Sequence, residues 1–180
     1  MKKLIIGALV SALILFIWQF LSFSILDLHG SQMEYTANQD TILEVLEANL
    51  EEGEYFLPRV PRGASSEEQE AAMEENIGKP WALVKYRKSF GFSFGMNLFR
   101  ALIINFISAL ILCWILMRFA HLDIKKAIMI CVGVGLIGYF TINYLDQIWF
   151  KSSSIPDLID AIVPWALIGV WTGWYLPEEG

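Results

Sequence analysis

The sequence predicts an all-α membrane protein: a four-helix transmembrane bundle with a small helical or mixed α/β extracytoplasmic cap between the first and second helices. The 180 residues are 56% hydrophobic and only 18% charged, and they contain four long apolar segments with one long acidic loop after the first. A soluble domain carries about 25% charged residues. A membrane-spanning helix needs about 20 mostly apolar residues to cross about 30 Å of hydrocarbon. Composition and segment length therefore both favour a chain surrounded by a lipid bilayer.

The four predicted transmembrane helices are bounded by charged residues or by residues typical of helix ends. They cover residues 4–26, 94–117, 127–145 and 158–176. The first resembles a signal peptide in its basic start, but its apolar run is too long and no Ala-x-Ala site follows it. We therefore expect an uncleaved anchor. The fourth begins after Ser154 and Pro156, which are common at helix N-termini.

Lysine and arginine in the short connections predict the orientation, because they accumulate on the cytoplasmic side. Lys151 is the one such residue in the short connection between the third and fourth helices. The opposite side carries five: Lys2, Lys3, Arg118, Lys125 and Lys126. We expect both termini to be cytoplasmic. Compact loops favour a prokaryotic inner membrane.

The predicted cap, residues 27–93, holds most of the acidic charge. Residues 27–88 include 13 of the 19 acidic residues and 6 of the 13 basic ones. The chain has no basic stripe, so a nucleic-acid partner is not expected. Two capping boxes, Thr41 to Glu44 and Ser65 to Glu68, predict helices that end at Gly53 and Gly78. Flanking segments rich in strand formers, around Phe56 and at residues 81–86, predict a pair of strands.

Glycines recur in the third predicted helix in a pattern that resembles a dinucleotide-binding motif. That motif requires a strand before it and a helix after it in a soluble domain, whereas Gly133, Gly135 and Gly138 lie within a predicted membrane span. Small residues four apart, such as Gly169 and Gly173, instead allow close packing of helix backbones. We expect helix packing and no cofactor.

Arg100 is the most unusual residue, because it lies about two turns inside the second predicted helix. A charge at that depth costs a few kcal/mol unless it is paired or reaches the interface. Acidic residues lie near the same end of each of the other helices: Asp27, Asp146 and Asp160. We expect Arg100 to pair with Asp160, either as a structural ion pair or as part of a polar binding site that also includes Asn97.

Catalytic and metal-binding patterns are not found in the sequence. His29 and His121 have no second ligand at a metal-binding spacing, so we expect them at the membrane interface. The leading interpretation is a non-catalytic accessory or scaffold subunit, or a binding protein, that engages a membrane-protein partner through its cap by Tyr55, Phe56 and Trp81. The alternative is a small transporter or lipid-handling protein that uses the polar site around Arg100.

Overall fold

The computed structural model describes residues 1–177, and within them it is mostly helical with one small sheet. Its elements, in chain order, are α1 (Lys2–Phe20), α2 (Gln39–Asn49), β1 (Gly53–Leu57), α3 (Ser66–Asn76), β2 (Ala82–Tyr86), α4 (Phe94–Leu116), α5 (Ile124–Gly138), α6 (Tyr144–Phe150) and α7 (Ile155–Tyr175). The chain forms two compact units. One is the helical bundle, Met1–Glu34 with the chain from Ser93 onward, and the other is Tyr35–Phe92, here called the acidic unit.

Four helices in the described part of the chain are long and apolar enough to cross a membrane. Two of them continue past an α-helix through a π-helical turn. The first runs over Lys2–Ile25 and includes the turn Leu21–Ile25 after α1. The third runs over Ile124–Phe150, because the turn Tyr139–Asn143 joins α5 to α6. It therefore extends beyond the range 127–145 predicted from hydropathy. The prediction ended too early because the last turns of this helix carry polar side chains that face the rest of the bundle.

The bundle is arranged around α1 and α7, which run antiparallel. At one end the Lys3 ammonium donates a hydrogen bond to the carbonyl of Pro177, and the Trp171 indole donates one to the carbonyl of Gly7. The packing of α4 is chiefly against α1, and that of α5 is against α7. Although a short connection joins α4 to α5, these two helices are not each other's main packing partners.

Small residues set the close approach of α5 and α7. A Cβ atom on Gly169 would lie 2.5 Å from the Cα of Ile128, and one on Gly173 would lie 2.5 Å from the Cα of Ile124. Such distances exclude any side chain, so the glycines allow the two backbones to meet. The interpretation of these glycines as packing residues is confirmed.

The core of the bundle combines small apolar residues with one amide pair. Asn105 of α4 is buried and donates to Gln19 of α1 at 2.8 Å, while the Gln19 amide donates back at 3.3 Å. These amides thus connect two helices within the spans, as polar groups commonly do in membrane proteins. The buried apolar cluster around them includes Ala8, Ala12, Leu15, Ala109, Leu112, Cys113, Leu116, Cys131 and Ile168.

The acidic unit consists of two helices and a two-stranded antiparallel sheet. β1 pairs with β2 in the register that places Phe56 opposite Leu83, which confirms the predicted strand pair. The predicted capping box of Ser65 and Glu68 is also present at the start of α3. The one predicted at Thr41 is wrong, because the residue that caps α2 is Asn38, three residues earlier, and the helix ends at Asn49 instead of Gly53.

Candidate functional site

Asp160 lies within the first two turns of α7 and is the centre of the polar contacts at that end of the bundle. Its Oδ1 accepts hydrogen bonds from the Trp18 indole and the Ser22 hydroxyl, each at 2.8 Å. Trp18 is in the last turn of α1, and Ser22 is in the π-helical turn that follows it. Residues four apart lie on one helix face, so the end of α1 presents both donors to the carboxylate together.

His29 supplies the third contact to Asp160. Its Nε2 lies 2.9 Å from Asp160 Oδ2, and its ring is stacked on Phe23 at a centroid distance of 4.0 Å. The imidazole is only 7% exposed. The chain reaches this position by a sharp reversal at Asp27, a non-glycine residue with φ 48°, followed by the short 3₁₀ turn Gly30–Gln32. A non-glycine residue in this region of φ is uncommon and often occurs where function or packing requires it.

Gln32 connects His29 to the start of α7. Its Oε1 lies 2.8 Å from His29 Nδ1, and its amide nitrogen donates to the carbonyl of Ser153 at 2.6 Å and to Asp157 at 3.2 Å. The other oxygen of Asp157 accepts a hydrogen bond of 2.8 Å from Asn143. We call Trp18, Ser22, His29, Gln32, Asp157 and Asp160 the Asp160 cluster.

Both π-helical turns of the bundle contribute side chains at this end. Ser22 comes from the first, and Asn143 and Tyr139 come from the second. The Tyr139 hydroxyl is 2.9 Å from the Ser154 hydroxyl, which also bonds Gln147. A π-helical turn inserts one residue and so re-aims the side chains near it, and such turns are frequent at functional sites. Here they direct polar groups from two helices onto the N-terminus of α7.

Pro164 removes one backbone hydrogen bond from α7 directly after this cluster. Proline has no N–H, so it does not make the helical hydrogen bond to the carbonyl four residues earlier, which is that of Asp160. The backbone at Asp160 is therefore held less firmly by its own helix than in a regular turn. The hydrogen bonds from Trp18, Ser22 and His29 restrain Asp160 through its side chain instead.

The pKa of His29 is raised above its ordinary value of 6.5. Burial alone would lower it, because an apolar environment disfavours the charged ring. The hydrogen bonds to Gln32 and Asp160 and the negative charges of Asp160 and Asp157 outweigh that effect. The cluster thus stabilises a positive charge on His29.

The arrangement does not support nucleophilic catalysis, although a serine, a histidine and an aspartate lie together. A catalytic triad needs the histidine between the serine and the acid, so that it can take the hydroxyl proton. Here Ser22 and His29 both bond Asp160 directly, and Ser22 is fully buried. Asp160 therefore serves as a common acceptor and not as the orienting acid of a triad.

The predicted pair of Arg100 and Asp160 is not formed. Arg100 is exposed, and it takes part in no ion pair among residues 1–177, whereas Asp160 is bonded by Trp18, Ser22 and His29. The sequence interpretation failed because the rotation of α4 about its axis decides which way Arg100 points, and hydropathy does not specify it.

The other predicted site residues are dispersed. Asp146 is exposed and accepts a hydrogen bond from Ser152, and Asn97 and Asp27 are exposed. In the acidic unit, Phe56 and Trp81 are brought together as a stacked pair at 5.7 Å, while Tyr55 is half-buried and donates to the carbonyl of Glu51.

Sequence reasoning missed Trp18, Ser22, His29, Gln32 and Asp157 as a group. One signal was present: Trp18 and Ser22 are polar-tipped residues four apart in a mostly apolar segment, and Asp160 is an acid inside a predicted span. The position of His29 depends on the reversal at Asp27, for which the sequence has no specific turn signal.

His121, the second histidine, lies at the opposite end of the bundle. It lines a cavity of about 420 Å³ between the α4–α5 connection and the end of α7, together with Arg118, Asp123 and Leu176. The charged groups there have other contacts: Arg118 lies over the Trp114 ring at 4.8 Å, and Asp123 caps α5. Within the described chain, no group of three or more metal-ligating residues occurs at either end.

Comparison with protein-family models, with curated proteins and with solved structures finds no match for this chain. The fold and contacts described above define a helical protein with four helices suited to a membrane and a separate, strongly acidic unit.

Proposed function

We propose that this chain is a non-catalytic integral membrane protein, an accessory or scaffold subunit that binds a membrane-protein partner through its acidic unit. The observation that carries the proposal is an exposed apolar face on the sheet of that unit. We call Phe56, Trp81 and Leu83 the apolar face.

The register of the sheet separates this face from the side that packs within the unit. Phe56 and Leu83 are cross-strand partners, and Trp81 precedes β2 on the same face. These side chains are exposed by 36%, 46% and 44%, respectively. Tyr55, Val84 and Tyr86 point to the other face, where Tyr86 is buried and the other two are half-buried.

An apolar depression of about 570 Å³ adjoins the apolar face. It is lined by Leu57, Pro58, Asn76, Lys79, Pro80, Trp81 and Ala82. Aromatic anchors beside an apolar concavity are typical of the centre of a protein interface. A partner that covered these exposed side chains would gain about 25 cal/mol of binding free energy for each Å² of apolar surface that it buried.

Charge indicates the kind of partner. The acidic unit holds 11 of the 19 acidic residues and 6 of the 13 basic ones, a net charge of −5. Five of the acids lie on α3, which is exposed to water. A partner with a basic rim around an apolar patch would be attracted over several ångströms and held by the apolar contact.

The proposed orientation places this unit on the extracytoplasmic side. Lys2 and Lys3 precede the first span, and Arg118, Lys125 and Lys126 follow the second, so five bases share one side. Under the positive-inside rule that side is cytoplasmic. Both termini then lie in the cytoplasm, which fits a prokaryotic inner membrane.

The experiment is site-specific photocrosslinking in native membranes. A photoreactive amino acid replaces Leu83 on the apolar face, and a matched control replaces Glu70 on the exposed surface of α3. We expect one protein adduct from position 83 that is weak or missing from position 70, and we expect Trp81→Ala to reduce it. Adducts with lipid alone, or equal adducts from both positions, would overturn the proposal.

The alternative of a transporter or lipid-handling protein loses its main support. It required Arg100 to gather acids from the other helices into one polar site. Instead Asp160 is engaged by α1 and His29, and Asp146 bonds Ser152. We therefore place the functional surface on the acidic unit.

A further inference from the structure

The hydrogen bonds around His29 specify where its protons lie. The amide nitrogen of Gln32 donates to the Ser153 carbonyl and to Asp157, both of which can only accept. The other end of that amide, Oε1, therefore faces His29 Nδ1 at 2.8 Å and needs a proton from it. His29 Nδ1 must be the donor of this bond.

A second proton is then required on the opposite side of the ring. His29 Nε2 and Asp160 Oδ2 are 2.9 Å apart. If His29 carried only its Nδ1 proton and Asp160 were ionised, two lone pairs would face each other across this gap. One proton must lie between them, and the raised pKa of His29 assigns it to Nε2 of the imidazolium. The proton cannot lie on the other carboxylate oxygen, Oδ1, because that atom already accepts hydrogen bonds from Trp18 and Ser22.

We propose that Asp160 and His29 together form a proton-binding site, and that loss of this proton releases the segment 27–33 from α7. The segment contains the reversal at Asp27, the 3₁₀ turn and both residues, His29 and Gln32, that bond α7. It is the chain that leaves the first membrane helix. The proposal does not depend on the acidic unit having a partner.

The surroundings of His29 favour retention of the proton. The charged groups that act on it are Asp160 and Asp157, both on α7, and α1 contributes only the uncharged donors Trp18 and Ser22 to Asp160. Phe23 covers one face of the ring. Deprotonation would leave a buried neutral ring facing an ionised carboxylate with no hydrogen bond between them, which costs free energy.

The direction of the pH response follows from this balance. In the released state His29 is in water and has an ordinary pKa, whereas in the bound state its pKa is raised. Between these two values the ratio of released to bound segment rises with pH, by at most about tenfold for each pH unit. Above the higher value the ratio stays constant.

The chain is well suited to a direct test, because His29 and His121 are its only histidines. The full-length protein, with ¹⁵N-labelled histidine and in lipid nanodiscs, is titrated by NMR, and His121→Gln assigns the signals. We expect His29 to hold protons on both nitrogens up to a pH above 6.5. A neutral His29 with an ordinary or lowered pKa would overturn the proposal, whether or not any variant folds.

Asp160→Asn is the informative variant. The asparagine Oδ1 can still accept from Trp18 and Ser22, while its amide nitrogen can donate to a neutral His29 Nε2. The hydrogen bond between residue 160 and His29 then forms without a titratable proton. Asp157→Asn is the matched control, since it removes a charge that acts on His29 without altering the gap between Nε2 and Asp160. We expect Asp160→Asn to lower the pKa of His29 more than Asp157→Asn does.

Release of the segment is measured by hydrogen exchange of residues 27–33. The wild-type protein and Asp160→Asn are compared at equal pH, so that the intrinsic pH dependence of exchange cancels. We expect equal exchange at a pH of about 5.5, and faster exchange in the wild type at about 8.5. Equal exchange at both pH values would show that the proton does not control the segment, and this part of the proposal would be wrong.

Discussion

Gly135 of α5 lies directly against Ala161 of α7: a Cβ atom on Gly135 would stand 2.1 Å from the Ala161 carbonyl oxygen. The contact is with backbone, which cannot rotate away as a flexible side chain can. It fixes how close the two helices come at the level of the Asp160 cluster, because Asp160 is the residue before Ala161.

Gly135→Ala should therefore destabilise the bundle. Overpacking of a well-packed interface costs about 1–3 kcal/mol, and here the added methyl group requires α5 to move from α7. Gly133→Ala is the matched control, since a Cβ atom there meets nothing within 4 Å. Thermal unfolding of both variants in the same detergent, followed by circular dichroism, compares them. Equal stability of the two variants would contradict the observed packing.

Trp18→Phe should destabilise the protein by removing one hydrogen bond to Asp160. Hydrogen bonds to charged groups contribute about 1.5–3 kcal/mol, and the phenyl ring keeps most of the apolar contact. Trp174→Phe serves as the control, because Trp174 is 68% exposed and such a change is expected to alter stability by no more than about 0.5 kcal/mol. The free energies of unfolding in mixed micelles should differ accordingly. If both changes have the same effect, the indole of Trp18 is not a partner of Asp160.

Arg100→Leu and Asp160→Leu should act independently. The two residues do not pair, and Asp160→Leu alone leaves Trp18, Ser22 and His29 facing an apolar side chain. The double variant should lose the sum of the two single losses to within about 0.5 kcal/mol. A double-mutant cycle on unfolding free energies measures this. If Arg100→Leu instead recovered the stability lost in Asp160→Leu, the two residues would be coupled, and the result would support the ion pair predicted from the sequence.

Stability should fall as the pH rises above 6.5, because of His29. Its folded-state pKa lies above the ordinary value of 6.5, so its contribution is fully present below that value and is lost as the pH rises through the folded-state pKa. His29→Gln should flatten the dependence over this range, and His121→Gln should leave it unchanged. Unfolding free energies at a series of pH values provide the measurement. If the pH dependence of stability persists in His29→Gln, another titratable group must cause it.

Local signals in the sequence predicted the helices and the elements of the acidic unit. The apolar segments are long enough to be recognised without tertiary information, and the Ser65–Glu68 capping box is a local pattern that survives folding. Thr41 misled the prediction because Asn38 begins α2 first. The pairing of the two strands was anticipated from composition, but the register that places Phe56 opposite Leu83 comes only from the structure.

The Asp160 cluster could not be predicted for two physical reasons. Hydropathy gives no information on the rotation of a helix, so it could not show that Asp160 faces α1 and that Arg100 faces away. The π-helical turns at Leu21–Ile25 and Tyr139–Asn143 also shift the helix faces by one residue. Side chains that follow each of these turns therefore point where a regular helix would not place them.

The orientation of the acidic unit is the claim on which the proposed function depends most directly, and cysteine accessibility measures it. In a background with Cys113→Ala and Cys131→Ala, Glu70→Cys places a thiol on α3 and Lys125→Cys places one at the start of α5, both at exposed positions. Whole cells are treated with a membrane-impermeant maleimide before and after permeabilisation. We predict that Glu70→Cys is labelled in intact cells and that Lys125→Cys is labelled only after permeabilisation. Labelling of Lys125→Cys but not Glu70→Cys in intact cells would place the acidic unit in the cytoplasm and contradict the account.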